Sequence, residues 1–155
     1  MKYVHMFVAI VIALCAGALG SLFTTMSLSP WYEGLIKSPL NPPDYVFGPV
    51  WTVLYICIGY ASYLIWKRRS EGSAIALALG LYVFQLALNA LWSIVFFGLQ
   101  LPEVAFIILL FLFVSIVVVG TLFYRIRKTA GLLFVPYVLW VAFAGYLNLF
   151  IVLNN

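Results

Sequence analysis

Residues 29–55 read SPWYEGLIKSPLNPPDYVFGPVWTVLY, the one long polar and proline-rich passage in a chain otherwise made of apolar runs. Pro30, Pro39, Pro42, Pro43 and Pro49 each fix φ and remove a backbone donor, and each disfavours helix at the residue before it. The first part of the passage is therefore expected to be a rigid, folded loop, with a helix starting near Tyr45. Trp31, Tyr32, Tyr45, Phe47, Trp51 and Tyr55 line it. Amphipathic rings of this kind favour the membrane–water boundary, or the wall of a pocket that opens there. The passage reads as a lid over a ligand site.

The surrounding chain supplies the membrane. Its 155 residues are 66% hydrophobic, 18% aromatic and only 8% charged, with a mean hydropathy of +1.17. A bilayer-spanning helix needs roughly 20 mostly apolar residues, and outside the lid there is room for about five. The expected fold class is an all-α integral membrane protein: one domain over 1–155, with helices at about 3–26, 45–66, 73–97, 102–124 and 130–153 and a lid loop at 27–44. A net charge of +4, scattered along the chain, is no nucleic-acid footprint.

Local signals refine this outline. The first apolar run is longer than a signal core, and Ile12-Ala13-Leu14 before Cys15 is a poor lipoprotein cleavage site, so an uncleaved helix is expected. Within it Ala13, Gly17 and Ser21, or Ala16 and Gly20, recur every four residues and let another helix approach closely. Pro49 is tolerable if it falls in the first turn of its helix, and Pro136 should bend the last one. Lys2, Lys67, Arg68, Arg69, Arg125, Arg127 and Lys128 fall at one end of the bundle and only Lys37 at the other. By the positive-inside rule this puts the N-terminus inside and the C-terminus and lid outside.

Helical spacing then groups the polar and aromatic residues. Gly48, Trp51, Thr52, Tyr55, Gly59 and Ser62 share a face of the second helix; Tyr82, Gln85, Asn89, Trp92, Ser93 and Phe96 share one of the third; Tyr137, Trp140, Ala144 and Asn148 share one of the last. Amides are unfavourable against lipid, so Gln85, Asn89 and Asn148 should point inward. At about 1.5 Å per residue, Trp51, Tyr55 and Asn89 lie roughly 9–15 Å below the lid end. An aromatic-walled chamber with a few amides suits a large, planar, mostly apolar ligand.

These residues resemble the TspO/translocator family, also called tryptophan-rich sensory proteins or peripheral benzodiazepine receptors. The likeness rests on Trp31-Tyr32 with Leu35 and Lys37, on Pro42-Pro43, and on the run from Phe47 to Tyr55. It extends through Asn89-Ala90-Leu91-Trp92-Ser93, Phe96-Phe97-Gly98, the block from Pro136 to Ala144, and Leu147-Asn148, so that it covers essentially the whole chain. The resemblance implies five membrane helices that bind protoporphyrin IX-like tetrapyrroles, and in some members benzodiazepine-type ligands, beneath the first loop. Carried over by position, Trp51 and Trp140 match paired tryptophans linked to light-dependent porphyrin breakdown, while Tyr32, Asn89, Trp92 and Ala144 match pocket-lining positions. Tyr55 and Asn148 complete the expected ligand site, and Ala144→Thr should crowd it. The lid reads Lys37-Ser38-Pro39-Leu40 where many members have Lys-Pro-Ser-aromatic.

The family's members pair through small-residue helix faces, and Ala76 with Gly80, or Ala74 with Ala78, offers one on the third helix; a homodimer there is expected. A prokaryotic cell membrane is the expected location, or the outer mitochondrial membrane in a eukaryote. No tightly bound cofactor and no metal site is expected. No acidic residue lies deep in a span and no Ser/His/Asp arrangement exists, so any chemistry must come from the bound ligand. The competing functions are a porphyrin receptor, a photo-oxidative enzyme and a small transporter of tetrapyrroles. The last is disfavoured by the lack of an ionisable midplane group. Cys15 and Cys57 fit apolar packing, and His5 an interfacial position.

Overall fold

The computed structural model describes residues 2–155, together with every side chain among them except those of residues 2 and 25–29. The side chain of Lys2, counted above with the basic cluster, and those at the entry to the lid thus lie outside the described residues. Among the described residues every regular element is helical. The helices are α1 (Lys2–Ser27), α2 (Asp44–Trp66), α3 (Ser73–Ser93), α4 (Pro102–Ile126), α5 (Lys128–Leu132) and α6 (Val135–Asn154). They make five segments long and apolar enough to cross a bilayer: Tyr3–Thr24, Asp44–Trp66, Ser73–Gly98, Pro102–Ile126 and Lys128–Asn154.

Prolines shape the ends differently from the simple expectation. Helical winding does not stop at Ser27 but widens into a π-turn over Leu28–Tyr32, so the lid is shorter at its front than 27–44. Pro30 cannot supply an ordinary helical bond, and the chain loosens around it instead of breaking. Pro49 stands beyond the first turn of α2, which begins at Asp44. It therefore removes a real helical bond, the one that would have reached the Tyr45 carbonyl. In the last span the break precedes Pro136: α5 ends at Leu132, Phe134 N–H turns back to the Gly131 carbonyl at 3.0 Å, and Pro136 sits in the opening turn of α6. A proline in a first turn has no bond to lose.

The short link between α3 and α4 closes by another π-turn, Ile94–Gly98, with Leu99 N–H on the Ile94 carbonyl at 2.9 Å. Gln100 then takes a left-handed conformation at φ 57°. At the opposite, basic end Arg68 ties two links together: its guanidinium donates to the Ile126 carbonyl and pairs with Glu71 at 2.6 Å.

Glycines set how closely the helices approach. A Cβ on Gly59 would lie 2.7 Å from the Ile10 backbone, and one on Gly17 would lie 2.2 Å from the Tyr55 ring. α1 is thus pressed onto α2 along the Ala13–Gly17 stripe, as the four-residue spacing suggests, while Gly20 faces Ser93 of α3. Behind this, Leu109, Leu112, Ile116, Val119 and Phe123 of α4 pack against α3 and α6 with 0–3% exposure. Of the small residues on α3, Ala76 and Gly80 are exposed but Ala78 is fully buried, because it belongs to the bundle core. The Ala74/Ala78 alternative for pairing is thereby removed. Cys15 faces outward on α1 and Cys57 is half-buried; both are free thiols.

Candidate functional site

Toward the lid the helices leave a cavity of about 630 Å³, enclosed by α1, α2, α3, α6 and the lid. It falls in the range of small-molecule sites, roughly 300–1,000 Å³. α4 contributes nothing to its wall; its role is to back α3 and α6.

Of the expected residues, Tyr32, Trp51, Tyr55, Asn89, Trp92, Ala144 and Asn148 all stand on the wall. Trp140 does not. Ala144 is the deepest residue that α6 gives to the cavity, and Trp140 lies one turn, about 6 Å, further from the lid. At that depth the space is already filled by Tyr137, against whose ring Trp51 lies edge-on at 6.2 Å. The Trp140 ring packs instead on Phe47 and Phe143, at 5.8 and 5.7 Å, with its buried Nε1 lacking a partner among the described residues. The expectation that Trp140 belongs with Trp51 to the ligand site is corrected accordingly: Trp51 lines the cavity, and Trp140 stands behind Phe47.

The floor is a hydrogen-bonded chain. Trp51 stacks on Tyr55 at 5.6 Å. The Tyr55 hydroxyl donates to Asn89 Oδ1 at 2.6 Å, Asn89 Nδ2 donates to Tyr137 Oη at 2.9 Å, and the Tyr137 hydroxyl donates to Gln85 Oε1 at 2.9 Å. The chain ends at Gln85 Nε2, which is buried without a partner among the described residues. Burial of Gln85, Asn89 and Asn148 to 0%, 4% and 2% exposure matches what lipid avoidance demands. On the opposite wall Trp92 Nε1 donates to Asn148 Oδ1 at 3.1 Å, and Asn148 Nδ2 donates to the Pro102 carbonyl at 2.9 Å. This second set ties α6 to the start of α4 and holds the Trp92 ring stacked on Phe96 at 5.5 Å.

The lid is bonded down. Tyr32 packs on Phe97 at 5.6 Å and its hydroxyl makes a long bond to Asn41 Oδ1 at 3.4 Å. Burial above all, then the nearby Asp44 carboxylate, push the Tyr32 phenol above its ordinary pKa, against the pull of Asn41. Lys37, the one basic residue placed at this end of the bundle, is engaged within the lid. Its Nζ donates to the Tyr32 carbonyl at 2.9 Å and lies 4.4 Å from the centre of the Tyr32 ring. Asn155 grips the Ile36 backbone twice, accepting from its N–H at 2.9 Å and donating to its carbonyl at 3.2 Å.

Some of the wall was not anticipated. Gly17, Ser21 and Thr24 of α1, Asp44 at the head of α2, and Leu147 and Ile151 of α6 also line the cavity. The α1 residues were legible as a small-residue stripe, but that pattern announces a close helix neighbour as readily as a void. At the basic end, His5 stacks on Trp66 at 4.6 Å and Arg69 covers that indole at 3.8 Å, an interfacial cluster remote from the cavity.

Comparison with known proteins accounts for this arrangement. The TspO/MBR family model matches residues 7–153. The chain is 40% identical over 153 residues to the tryptophan-rich protein TspO of Chlorobaculum tepidum, covering 95% of this chain and 94% of that one. It is 37% identical over 155 residues to the protein of the same name from Archaeoglobus fulgidus, covering 100% and 99%. Against the human translocator protein the identity is 39% over 130 residues, 83% of this chain and 77% of that one. Five membrane-length helices in sequence order, a lid between the first two, and a match running almost end to end leave one conclusion: the chain is a multi-pass membrane protein and belongs to the TspO/MBR family.

Proposed function

We propose that the cavity is a receptor site for porphyrins, protoporphyrin IX-like tetrapyrroles above all, and for benzodiazepine-type ligands. The observation that carries this is the wall itself: the flat faces of Trp51, Tyr55, Trp92 and Phe96 bound a space of about 630 Å³ under a lid. Stacking on such faces favours a planar aromatic ligand. Protoporphyrin IX titrated into the purified protein should quench tryptophan fluorescence saturably, because two of the five tryptophans, Trp51 and Trp92, line the site. Ala144→Thr, which adds atoms to the wall, should weaken that binding about tenfold. Linear quenching, unchanged by Ala144→Thr, would remove the proposal.

Light-dependent porphyrin breakdown follows from the same placement. An excited porphyrin against Trp51 can take an electron from the indole and pass it to dioxygen, which leaves an indole radical cation, the restored ring and superoxide beside it, so that dioxygen is the oxidant that cleavage of the ring consumes. Trp140, one layer back, would serve only as a relay. Under illumination Trp51→Phe should slow loss of the main porphyrin absorption band more than Trp140→Phe does.

Pairing of two chains through α3 is supported by the exposed Ala76 and Gly80, the latter with open space where a side chain would be. The basic residues at one end support an orientation with that end, and the N-terminus, inside a prokaryotic cell membrane.

A further inference from the structure

The polar groups of the cavity wall have a consistent sense. Ser93 Oγ donates to the Gly20 carbonyl at 2.8 Å, Thr24 Oγ1 to the same carbonyl at 3.2 Å, Ser21 Oγ to Ala18, Thr52 Oγ1 to Gly48, and the Tyr55 hydroxyl to Asn89. With their hydrogens committed to protein acceptors, these five hydroxyls turn only lone pairs toward the cavity. Among the described side chains of the wall, the donors left to a ligand are few: the Trp51 indole N–H and the second amide hydrogens of Asn89 and Asn148. Among the described residues no lysine or arginine lines the space, and Asp44 is the one charged residue that does. Asp44 stands exposed at the mouth, in no ion pair among the described residues, and its field reaches the Tyr32 phenol. Lys37, the nearest cation in sequence, is held on the Tyr32 carbonyl and ring.

A carboxylate carried into such a space would lose its hydration, meet mainly oxygen lone pairs, and pass an acidic side chain on entry. We infer that the cavity selects its ligand by charge, taking the apolar ring of a neutral or cationic planar ligand while keeping acidic groups outside, with Asp44 as the specificity residue at the mouth. This rests on the porphyrin-site reading and sharpens it. A diacid ring enters edge-first with both acids outward, and the same ring with amine arms is the better ligand. Specificity of this kind comes from repulsion of the wrong charge as much as from attraction of the right one.

The test uses one macrocycle in three charge states: protoporphyrin IX, its dimethyl ester, and its bis(2-aminoethyl)amide. Each is titrated by tryptophan quenching into wild-type, Asp44→Asn and Asp44→Glu protein in a neutral detergent. Comparing each ring between proteins cancels its partition into micelles. For an exposed charge the expected factor is about two- to fivefold. Asp44→Asn should weaken the cationic ring by that factor, leave the ester unchanged and tighten the diacid, while Asp44→Glu keeps the wild-type order. Raising salt to about 0.5 M should shrink all the differences. Equal shifts of all three rings in Asp44→Asn, or no shift, would overturn charge selection while leaving the porphyrin site intact. A failure of every ring to quench saturably would instead overturn the site itself, and the inference with it.

Discussion

The two halves of the bundle are built from the same helices and behave as different materials. Toward the basic end the helices close on one another: Gly59 meets the Ile10 backbone, and Phe123, Phe134 and Tyr137 fill the centre with 0–1% exposure. Toward the lid they part around the cavity, and the wall is held by hydrogen bonds between side chains. The contrast teaches where stability and binding reside. In lipid, helices associate through packing and internal polar contacts rather than by escaping water. The packed half keeps the fold while the polar half keeps a shape open for something else.

The largest effect that would break this division is expected at Phe123. It is fully buried against Tyr82 and Phe134, with ring centres at 5.9 and 5.2 Å. Phe123→Ala should cost about 3–5 kcal/mol. Phe47→Ala, whose ring already borders a void, should cost less than half of that. Thermal unfolding in detergent compares them, and equal losses would mean that the cavity half carries as much of the fold as the packed half.

Next comes the hinge between the halves, the chain from Tyr55 to Gln85. Tyr137→Phe keeps the ring and removes the hydroxyl, leaving Asn89 Nδ2 and Gln85 Oε1 without their shared partner. Stranding buried groups costs about 1–3 kcal/mol. Porphyrin affinity should fall too, because Asn89 then no longer fixes the Tyr55 hydroxyl beneath Trp51. Loss of stability with unchanged affinity would separate the floor from the site.

How far these halves could be read in advance differs for a physical reason. Periodicity located the spans because lipid exposure and length leave little choice, and it turned Gln85, Asn89 and Asn148 inward because an amide has nowhere else to go. Trp140 shares a helical face with Ala144 and Asn148, yet a face extends the length of a span while a cavity occupies part of it. Depth, set by where Tyr137 fills the bundle, was invisible in the spacing. The double grip of Asn155 on Ile36 joins residues 119 apart in sequence, and no local pattern announces such a pair. The engagement of Lys37 with the Tyr32 ring was hidden for a similar reason, since lysine at a bilayer surface has many possible partners.

A smaller effect follows from pH. The Tyr32 phenol is raised, chiefly by burial, so the folded lid holds its proton where a free tyrosine has lost it. Folded protein then binds more protons than unfolded above the ordinary tyrosine value of about 10, and stability must fall as pH rises through that point. Emission from Trp31, which sits on Phe96 beside Tyr32, should report loosening of the lid as pH rises above about 10, and Tyr32→Phe should remove that component. No difference from wild type would mean that the lid does not open with Tyr32.

The smallest effect belongs to the clasp. The lid's Ser38 hydroxyl bonds Tyr146 Oη of α6 at 2.8 Å and is itself approached by Leu40 N–H at 3.1 Å. The order Lys37-Ser38-Pro39 puts the hydroxyl next to the lysine and delays the proline by one position, which is what lets a side chain at 38 turn down onto α6. With Asn155, which caps α6, this gives the lid two anchors, one on the helix and one at its end. Each hydrogen bond is worth about 0.5–1.5 kcal/mol net, so Ser38→Ala or Asn155→Ala alone should barely move the melting temperature. Their effect belongs on kinetics: if the ligand leaves only when the lid lifts, each substitution should speed porphyrin release by about two- to tenfold, with the on-rate raised in proportion and affinity nearly kept. Stopped-flow release rates equal to wild type in the double variant would mean that the ligand leaves by another route, through the wall that α1 and α2 share with lipid.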